Sequence, residues 1–339
     1  MIFATADEMR RWYGSALDLW FARTETPSRV VLEQSGVKLR DYGNDGNRPC
    51  LLIIPAPIKK PYIWDLTPSA SVVLACLQGR FRVYVLEWTE GDRDNGLAVY
   101  VDELILECAK AIGEPAVLAG HSLGGTFATI FASLHPERVR SLILLEAPLS
   151  FSGQDAGSIA DRIRMAPPTE ALRKVSNYPG TLLNALSLAA SPKSFLCWRW
   201  RDLLLSAGDP AALRIHLLVE RWTLDEYAMP SALFADVVDL YREDRFMQGT
   251  LRIKGHTAAP RSVTMPVLAV VDPESDVVPP SSIMCFLDAL PNRNWTLLHY
   301  EGDTGVSLRH VGVLAGRSAH RVLWPDILAW IPMSAGYAR

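Results

Sequence analysis

Short runs of Val, Ile, Leu and Tyr alternate with stretches of helical periodicity along most of the chain. The runs that predict strands are VVLEQ (30–34), VKLRDY (37–42), CLLIIP (50–55), RVYVLEW (82–88), AVLAG (116–120), SLILLEAP (141–148), MPVLAVVD (265–272) and NWTLLHYEG (294–302). Helices are expected near 69–78, 97–112, 124–134, 281–289 and 318–331. The first two runs flank Ser35-Gly36, a turn pair that predicts an antiparallel hairpin. The alternation that follows is typical of a mostly parallel sheet covered by helices on both faces.

The alternation breaks between residues 147 and 265. This segment carries Gly/Ser loops and helix-like stretches such as AALRIHLLVERW and PSALFADVVDLYRED, with no convincing run of parallel strands. We therefore predict a core formed by residues 1–146 and 266–339, with a mostly helical cap, 147–265, inserted after the sixth of about eight strands. This plan resembles the α/β-hydrolase fold.

The N-terminal segment predicts an amphipathic helix over 5–23, within the core part of the chain. Thr5 and Glu8 have the spacing of a capping box. Apolar residues then recur near helical period at Met9, Trp12, Tyr13, Ala16, Leu17, Trp20 and Phe21. The apolar face either packs on the domain or docks on a partner or a lipid-like granule surface.

Composition narrows the class of protein. With 339 residues, a net charge of −3 and a pI near 6.2, the chain has no global basic field, so we expect no nucleic-acid partner. No apolar run approaches the ~20 residues of a membrane helix, and the N-terminus lacks a signal-peptide core. The cysteines are five in number without a C-x-x-C pair, which favours buried thiols at Cys50, Cys76 and Cys108 and a cytoplasmic location. No metal-ligand spacing occurs, and we expect neither a metal nor a cofactor.

The segment LAGHSLGGTFA (118–128) contains the pattern G-x-S-x-G around Ser122. A buried strand precedes it and an apolar helix follows, which is the context required of a nucleophile elbow. Gly120, Gly124 and Gly125 allow the turn and helix to pack closely. Ser122 is therefore the candidate nucleophile, with the amide of Leu123 as one oxyanion donor.

A serine nucleophile needs a base and an orienting acid, which follow it in this fold in the order acid, then histidine. The acid is Asp272 or Asp276, on the loop after the seventh strand, and we favour Asp276 because Asp272 sits at the strand end and suits a turn. The base is expected to be His310, which follows the last strand. His121 lies inside the elbow, and His299 and His320 lie within predicted elements.

The loop PAPIKKPY (55–62) should supply the second oxyanion amide. Pro55 and Pro57 have no N–H, so Ile58 is the better candidate. We add His121, Arg309 and Tyr62 as candidate substrate-binding residues. Arg309 either grips an anionic substrate group or faces solvent.

Six segments together resemble the polyhydroxyalkanoate synthase family, above all its small catalytic subunit from two-subunit enzymes. They are LLIIPAPIKKPYIWDL (51–66), RVYVLEW (82–88), GHSLGG (120–125), LVERW (218–222), MPVLAVVDPESDVVPP (265–280) and RHVGVLAGRSAHRVLWPDILAWI (309–331). The resemblance implies roles as nucleophile, acid, base and oxyanion amide for Ser122, Asp276, His310 and Ile58. It also implies a hydroxyacyl-coenzyme A substrate and association as a homodimer or with a second subunit.

Two positions depart from that family. The elbow nucleophile there is cysteine, whereas this chain has Ser122, and Arg309 stands where glycine is usual. A Ser–His pair forms an oxyester that passes to whichever acceptor the pocket admits. We therefore expect first a hydrolase of hydroxyacyl esters, polyesters or thioesters. The alternative is a synthase-like acyltransferase or polymerase, and a third is a non-catalytic member that binds a granule or a partner.

Overall fold

A computed structural model describes residues 2–18, 23–43, 48–152 and 157–334. Its central sheet contains eight strands, numbered here in chain order. They are β1 (Arg29–Gln34), β2 (Val37–Asp41), β3 (Cys50–Ile54), β4 (Arg82–Trp88), β5 (Ala116–His121), β6 (Val139–Leu145), β7 (Val267–Val271) and β8 (Trp295–His299). Their order across the sheet is β1-β2-β4-β3-β5-β6-β7-β8.

Strand β2 runs antiparallel to both its neighbours, and from β4 to β8 every pairing is parallel. The central strands are buried along their whole length, as continuous apolar runs require in a sheet covered on both faces. The predicted hairpin, the eight strands and the mostly parallel sheet are confirmed.

Helices pack on both faces of the sheet. One face is covered mainly by α3 (Ile105–Ile112), α4 (Leu123–Leu134) and α11 (Pro280–Asp288). The other face is covered mainly by α2 (Val72–Gln78), α12 (Gly312–Ala315) and α13 (Trp324–Ser334). π-helical turns at Val99–Leu104 and Ala319–Leu323 lead into α3 and α13.

The cap lies between β6 and β7, as predicted, and is helical. Its helices are α5 (Ser158–Arg164), α6 (Thr169–Arg173), α7 (Gly180–Ala190), α8 (Trp198–Ser206), α9 (Pro210–Thr223) and α10 (Ser231–Glu243). A short antiparallel ribbon, Leu251–Ile253 with His256–Ala258, leads back to the core.

The N-terminal helix α1 (Ile2–Asp18) begins earlier than predicted, and residues 19–22, including Trp20 and Phe21, lie outside the described part of the chain. It rests on the cap. Thr181 donates its backbone N–H to Asp7 Oδ1 over 2.8 Å, and Arg221 donates to Asp18 at 2.8–2.9 Å. Met9, Trp12 and Tyr13 lie 67%, 74% and 54% exposed, so this part of the predicted apolar face does not pack on the domain.

Cys50, Cys76 and Cys108 are buried free thiols, as expected, whereas Cys197 and Cys285 are exposed. Within the described residues, no helix combines the length and hydropathy needed to cross a bilayer.

Candidate active site

Ser122 stands on the turn between β5 and α4 with φ 53° and ψ −132°, a conformation that costs a non-glycine residue free energy. Its backbone N–H donates to the carbonyl of Leu145 on β6 over 3.0 Å, which holds the turn against the sheet. The neighbouring glycines explain the close packing. A Cβ on Gly120 would meet Gly125 Cα at 2.6 Å, and one on Gly125 would meet Ala147 Cβ at 2.5 Å. A side chain at either of these two positions would clash, so the elbow requires glycine there.

The N-terminal end of α4 lies at Ser122. Leu123 is the first helical residue, so its N–H has no partner inside the helix and lies at the positive end of the helix dipole. Ile58, on the loop after β3, lines the same cavity as Ser122. Both amides stay candidates for holding an oxyanion.

His310 lines this cavity with Ser122, on a short 3₁₀ turn (Arg309–Val311) after β8. Its Nδ1 lies 2.9 Å from Glu146 Oε2. Burial lowers the pKa of His310 to about 4, against an opposing effect of the Asp272 and Asp276 carboxylates. The imidazole is therefore neutral near pH 7, as a general base must be.

Glu146 is the residue that sequence reasoning missed. It follows β6 directly, is fully buried, and has a left-handed φ of 44°, while its N–H donates to the carbonyl of Val270 over 2.9 Å. Burial, and then the charge of Asp272, raise the pKa of Glu146 well above its ordinary value. The signal in the sequence was an acid at the end of the strand beside the nucleophile's strand, in LLEAP.

Asp276 has different partners from those expected. Its carboxylate accepts hydrogen bonds from Ser191 Oγ, at 2.6 Å, and from Ser194 Oγ, both in the cap. The neighbouring Ser275 Oγ lies 3.5 Å from Glu146 Oε2 instead. The structure shows no hydrogen bond between Asp276 and His310, because the loop after β7 directs this carboxylate toward the cap. These bonds join the core to the cap, and the role of Asp276 as triad acid stays a prediction.

The alternative acid, Asp272, is also engaged elsewhere. It is buried and paired with the guanidinium of Arg309, whose Nη2 donates over 2.9 Å. It also accepts the backbone N–H of Glu274 over 2.9 Å, which is the turn role expected of it. Arg309 donates further to Glu274 and to the carbonyl of Glu301. The guanidinium is thus paired with carboxylates and does not line the cavity of Ser122, and substrate binding by Arg309 stays a prediction.

The other two predicted substrate residues differ in position. His121 lines the cavity and donates from Nε2 to the carbonyl of His310 over 2.8 Å, and their rings lie 4.6 Å apart. Burial, and then the His310 charge, lower the pKa of His121 well below its ordinary value. Tyr62 is not among the lining residues, and its hydroxyl donates to Asp225 of the cap over 2.8 Å. His121 thus supports the backbone at the base, while Tyr62 joins the oxyanion loop to the cap.

The cavity over Ser122 has a volume of about 120 Å³ and is lined by core and cap residues. One end is polar. Lys59 donates from Nζ to the carbonyl of Thr223 over 2.9 Å and to Glu226, and Asn184 donates to Glu226 over 3.1 Å. Burial lowers the pKa of Lys59. Sequence analysis did not single out Lys59, since a lysine in a loop is ordinarily exposed.

Comparisons with known proteins agree with this fold. A family model described as the alpha/beta hydrolase fold matches residues 90–186. The chain is 26% identical over 321 residues to the poly(3-hydroxyalkanoate) polymerase subunit PhaC of Haloferax mediterranei, covering 90% of this chain and 64% of that protein. It is 24% identical over 320 residues to the subunit of the same name from Allochromatium vinosum, covering 90% and 88%. A solved monoacylglycerol lipase of Paleococcus ferrophilus matches with a TM-score of 0.55 and 14% identity, covering 86% and 98%.

The chain has the α/β-hydrolase fold, and its resemblance to the polyhydroxyalkanoate synthases is confirmed over nine tenths of its length. It spans slightly less than two thirds of the length of the Haloferax protein. The lipase, at its low identity, bears on the fold alone.

Proposed function

We propose that this protein is an acyltransferase that moves a hydroxyacyl group from a thioester to a hydroxyl acceptor through an acyl-Ser122 intermediate. This proposal rests mainly on the strained Ser122, which lines one cavity together with His310. The Nδ1 atom of His310 lies 2.9 Å from the buried Glu146 carboxylate. The similarity to two poly(3-hydroxyalkanoate) polymerase subunits supports the acyl group and favours the synthase-like alternative over hydrolysis.

In the first half-reaction, Ser122 Oγ attacks the thioester carbonyl while His310 takes the hydroxyl proton at Nε2. The amides of Leu123 and Ile58 hold the tetrahedral oxyanion. Collapse breaks the C–S bond, and His310 returns its proton to the leaving thiolate. In the second half-reaction, His310 deprotonates the acceptor hydroxyl, which attacks the acyl-serine. Ser122 then recovers the proton, and one ester has replaced one thioester.

We assign Glu146, rather than Asp276, to the orienting role. Its Oε2 accepts the Nδ1–H of His310, which leaves the Nε2 lone pair free for Ser122 and stabilises the imidazolium formed during attack. Glu146 follows β6 directly in a left-handed conformation, and its N–H is bonded to Val270 of β7. The sheet therefore fixes the backbone that carries this carboxylate.

Hydrolysis is the second candidate, and one observation favours it. The nucleophile is serine, so the intermediate is an oxyester of the kind that serine hydrolases pass to water. Transfer to a hydroxyl requires that the cap exclude water once the intermediate has formed.

The test is to incubate the purified protein with 3-hydroxybutyryl-coenzyme A and to analyse products by mass spectrometry, with Ser122→Ala as control. Dimers and longer oligoesters made only by the parent protein support the transferase. Free 3-hydroxybutyrate as the sole Ser122-dependent product establishes hydrolysis instead. Absence of any Ser122-dependent product, together with absence of fluorophosphonate labelling, rejects both and leaves the non-catalytic hypothesis.

A further inference from the structure

A second, larger concavity lies beside the catalytic cavity on the surface of the cap. Helices α1, α8 and α9 form it, and its volume is about 410 Å³. Most of its lining is apolar, from Tyr13, Leu17, Leu196, Trp200, Leu203, Leu217 and Leu224, with Arg199, His216 and Glu220 as the polar members. We call it the α8–α9 groove. Trp200 is 63% exposed there and Leu196 is 45% exposed, which is unusual for large apolar side chains.

The groove and the catalytic cavity share a wall. Arg199 lines both spaces. On the turn before α8, Phe195 faces the cavity and its neighbour Leu196 faces the groove. At the end of α9, Thr223 faces the cavity and Leu224 faces the groove. The segment 195–199 and the end of α9 therefore form the wall between the two volumes, and Arg199 is the side chain that borders both.

Arg199 is held in the wall by bonds that solvent can reach. Its Nε donates to Glu220 Oε1 over 2.8 Å, and Nη2 donates to Glu220 Oε2. The two side chains keep 22% and 26% of their surface exposed. Because two nitrogens of Arg199 contact Glu220 and both side chains are largely buried, this pair holds the guanidinium in the wall, and solvent must replace Glu220 when it moves.

The catalytic cavity alone is too small for an extended acyl group. Its volume of about 120 Å³ equals that of about four waters at ~30 Å³ each. Sites for organic ligands ordinarily occupy about 300–1,000 Å³. Adding the groove brings the space next to Ser122 into that range.

We propose that the α8–α9 groove is a second chamber of the active site, which takes the distal, apolar part of an acyl chain once Arg199 moves aside. This inference rests on the proposed function. The chemistry of the groove selects hydrocarbon rather than the phosphates of coenzyme A. Its one arginine is already paired with Glu220, and the remaining lining is dominated by aliphatic and aromatic surface.

The activity test uses p-nitrophenyl esters of acetate, butanoate and octanoate with three variants. Arg199→Ala removes the barrier, Leu217→Trp fills the groove, and Arg201→Ala, on the same helix but lining neither space, is the control. We expect Arg199→Ala to raise the octanoate-to-acetate ratio of kcat/KM about tenfold and Leu217→Trp to lower it about tenfold. Arg201→Ala, the control, should leave both the acetate turnover and the ratio unchanged.

A binding test separates this inference from the proposed function. In the Ser122→Ala protein, 10-bromodecanoate should quench a component of tryptophan fluorescence that is missing in Ser122→Ala/Trp200→Phe. If acetate is hydrolysed through Ser122 but the chain-length ratios do not move and Trp200 is not quenched, the chamber is refuted and the catalytic assignment stands. If no ester is turned over, the catalytic assignment fails, and quenching at Trp200 alone decides whether the groove binds a chain.

Discussion

The two sides of the active-site cavity are held in place by different kinds of bonds. On the core side, Ser122 and Glu146 are fixed by backbone bonds to neighbouring strands, Ser122 N–H to Leu145 and Glu146 N–H to Val270. On the cap side, a few backbone bonds, such as Tyr227 N–H to the carbonyl of Ile58, are joined by side-chain bonds, as in Lys59 with Glu226 and Asp276 with Ser191. Backbone ladders do not depend on ionisation, whereas ion pairs and carboxylate bonds do. The chemistry should therefore tolerate changes that loosen the cap, and the cap should respond to changes that leave the chemistry intact.

Ser122→Ala gives the largest expected effect on the core side. Removing a nucleophile of this kind costs roughly 10⁴-fold or more in kcat, because only binding and the oxyanion donors remain. Intact-protein mass spectrometry after fluorophosphonate treatment should show no adduct. Ser187→Ala, at another serine of the same cavity, should be labelled like the parent, and a labelled Ser122→Ala protein would place the nucleophile elsewhere.

Glu146→Gln and Asp276→Asn form a matched pair that compares the two sides directly. We expect Glu146→Gln to lower kcat by roughly 10²–10⁴-fold, since an amide no longer stabilises the imidazolium or fixes its tautomer. Asp276→Asn should change kcat less than about tenfold, because its partners are Ser191 and Ser194 rather than His310. Steady-state kinetics on a short ester decides, and the reverse order would return the acid to the loop after β7.

Glu226→Gln addresses the stability of the cap side. Glu226 is buried and is the counter-charge of the buried Lys59, so its loss leaves that cation without an ion pair. Breaking such a buried pair costs about 3 kcal/mol or more in the free energy of unfolding. Urea unfolding measures this, with Glu107→Gln as the control, since its surface ion pair with Lys110 should contribute less than about 1 kcal/mol. Equal costs for the two variants would contradict the buried-pair account.

The smallest expected effect is on the pH dependence of kcat/KM. His310 must be neutral to act, and burial lowers its pKa to about 4. Going down in pH, protonation of His310 should lower kcat/KM only as pH approaches about 4, so a fall at higher pH would report protonation of Glu146, whose pKa burial raises well above its ordinary value. The free-enzyme profile on an uncharged ester checks this, with circular dichroism at each pH confirming that the protein stays folded. An acid limb at pH 6.5 or above that persists in Glu146→Gln would mean that the imidazole titrates as if exposed.

The sheet and the elbow could be predicted from the sequence, whereas the side-chain bonds between distant segments could not. Continuous apolar strands and the glycines around Ser122 predict the sheet and the elbow, because their reasons are local. The contact between His310 and Glu146 joins residues 164 positions apart and depends on the left-handed φ of Glu146, which no periodicity reports. The bonds of Asp276 could not be foreseen because its partners, Ser191 and Ser194, lie 82–85 residues earlier in the chain. Lys59 was missed for the same reason, since only the folded cap buries it.

The position of Glu146 bears on how the catalytic groups and the fastening of the cap are divided between parts of the chain. In the proposed assignment the histidine's carboxylate comes from Glu146, directly after β6, and Asp276 on the loop after β7 fastens the cap instead. Catalysis and fastening of the cap are then carried by separate residues. A protein engineer could redesign the fastening, or graft another helical segment between Glu146 and β7, and leave the nucleophile, the base and its carboxylate in their original positions in the core.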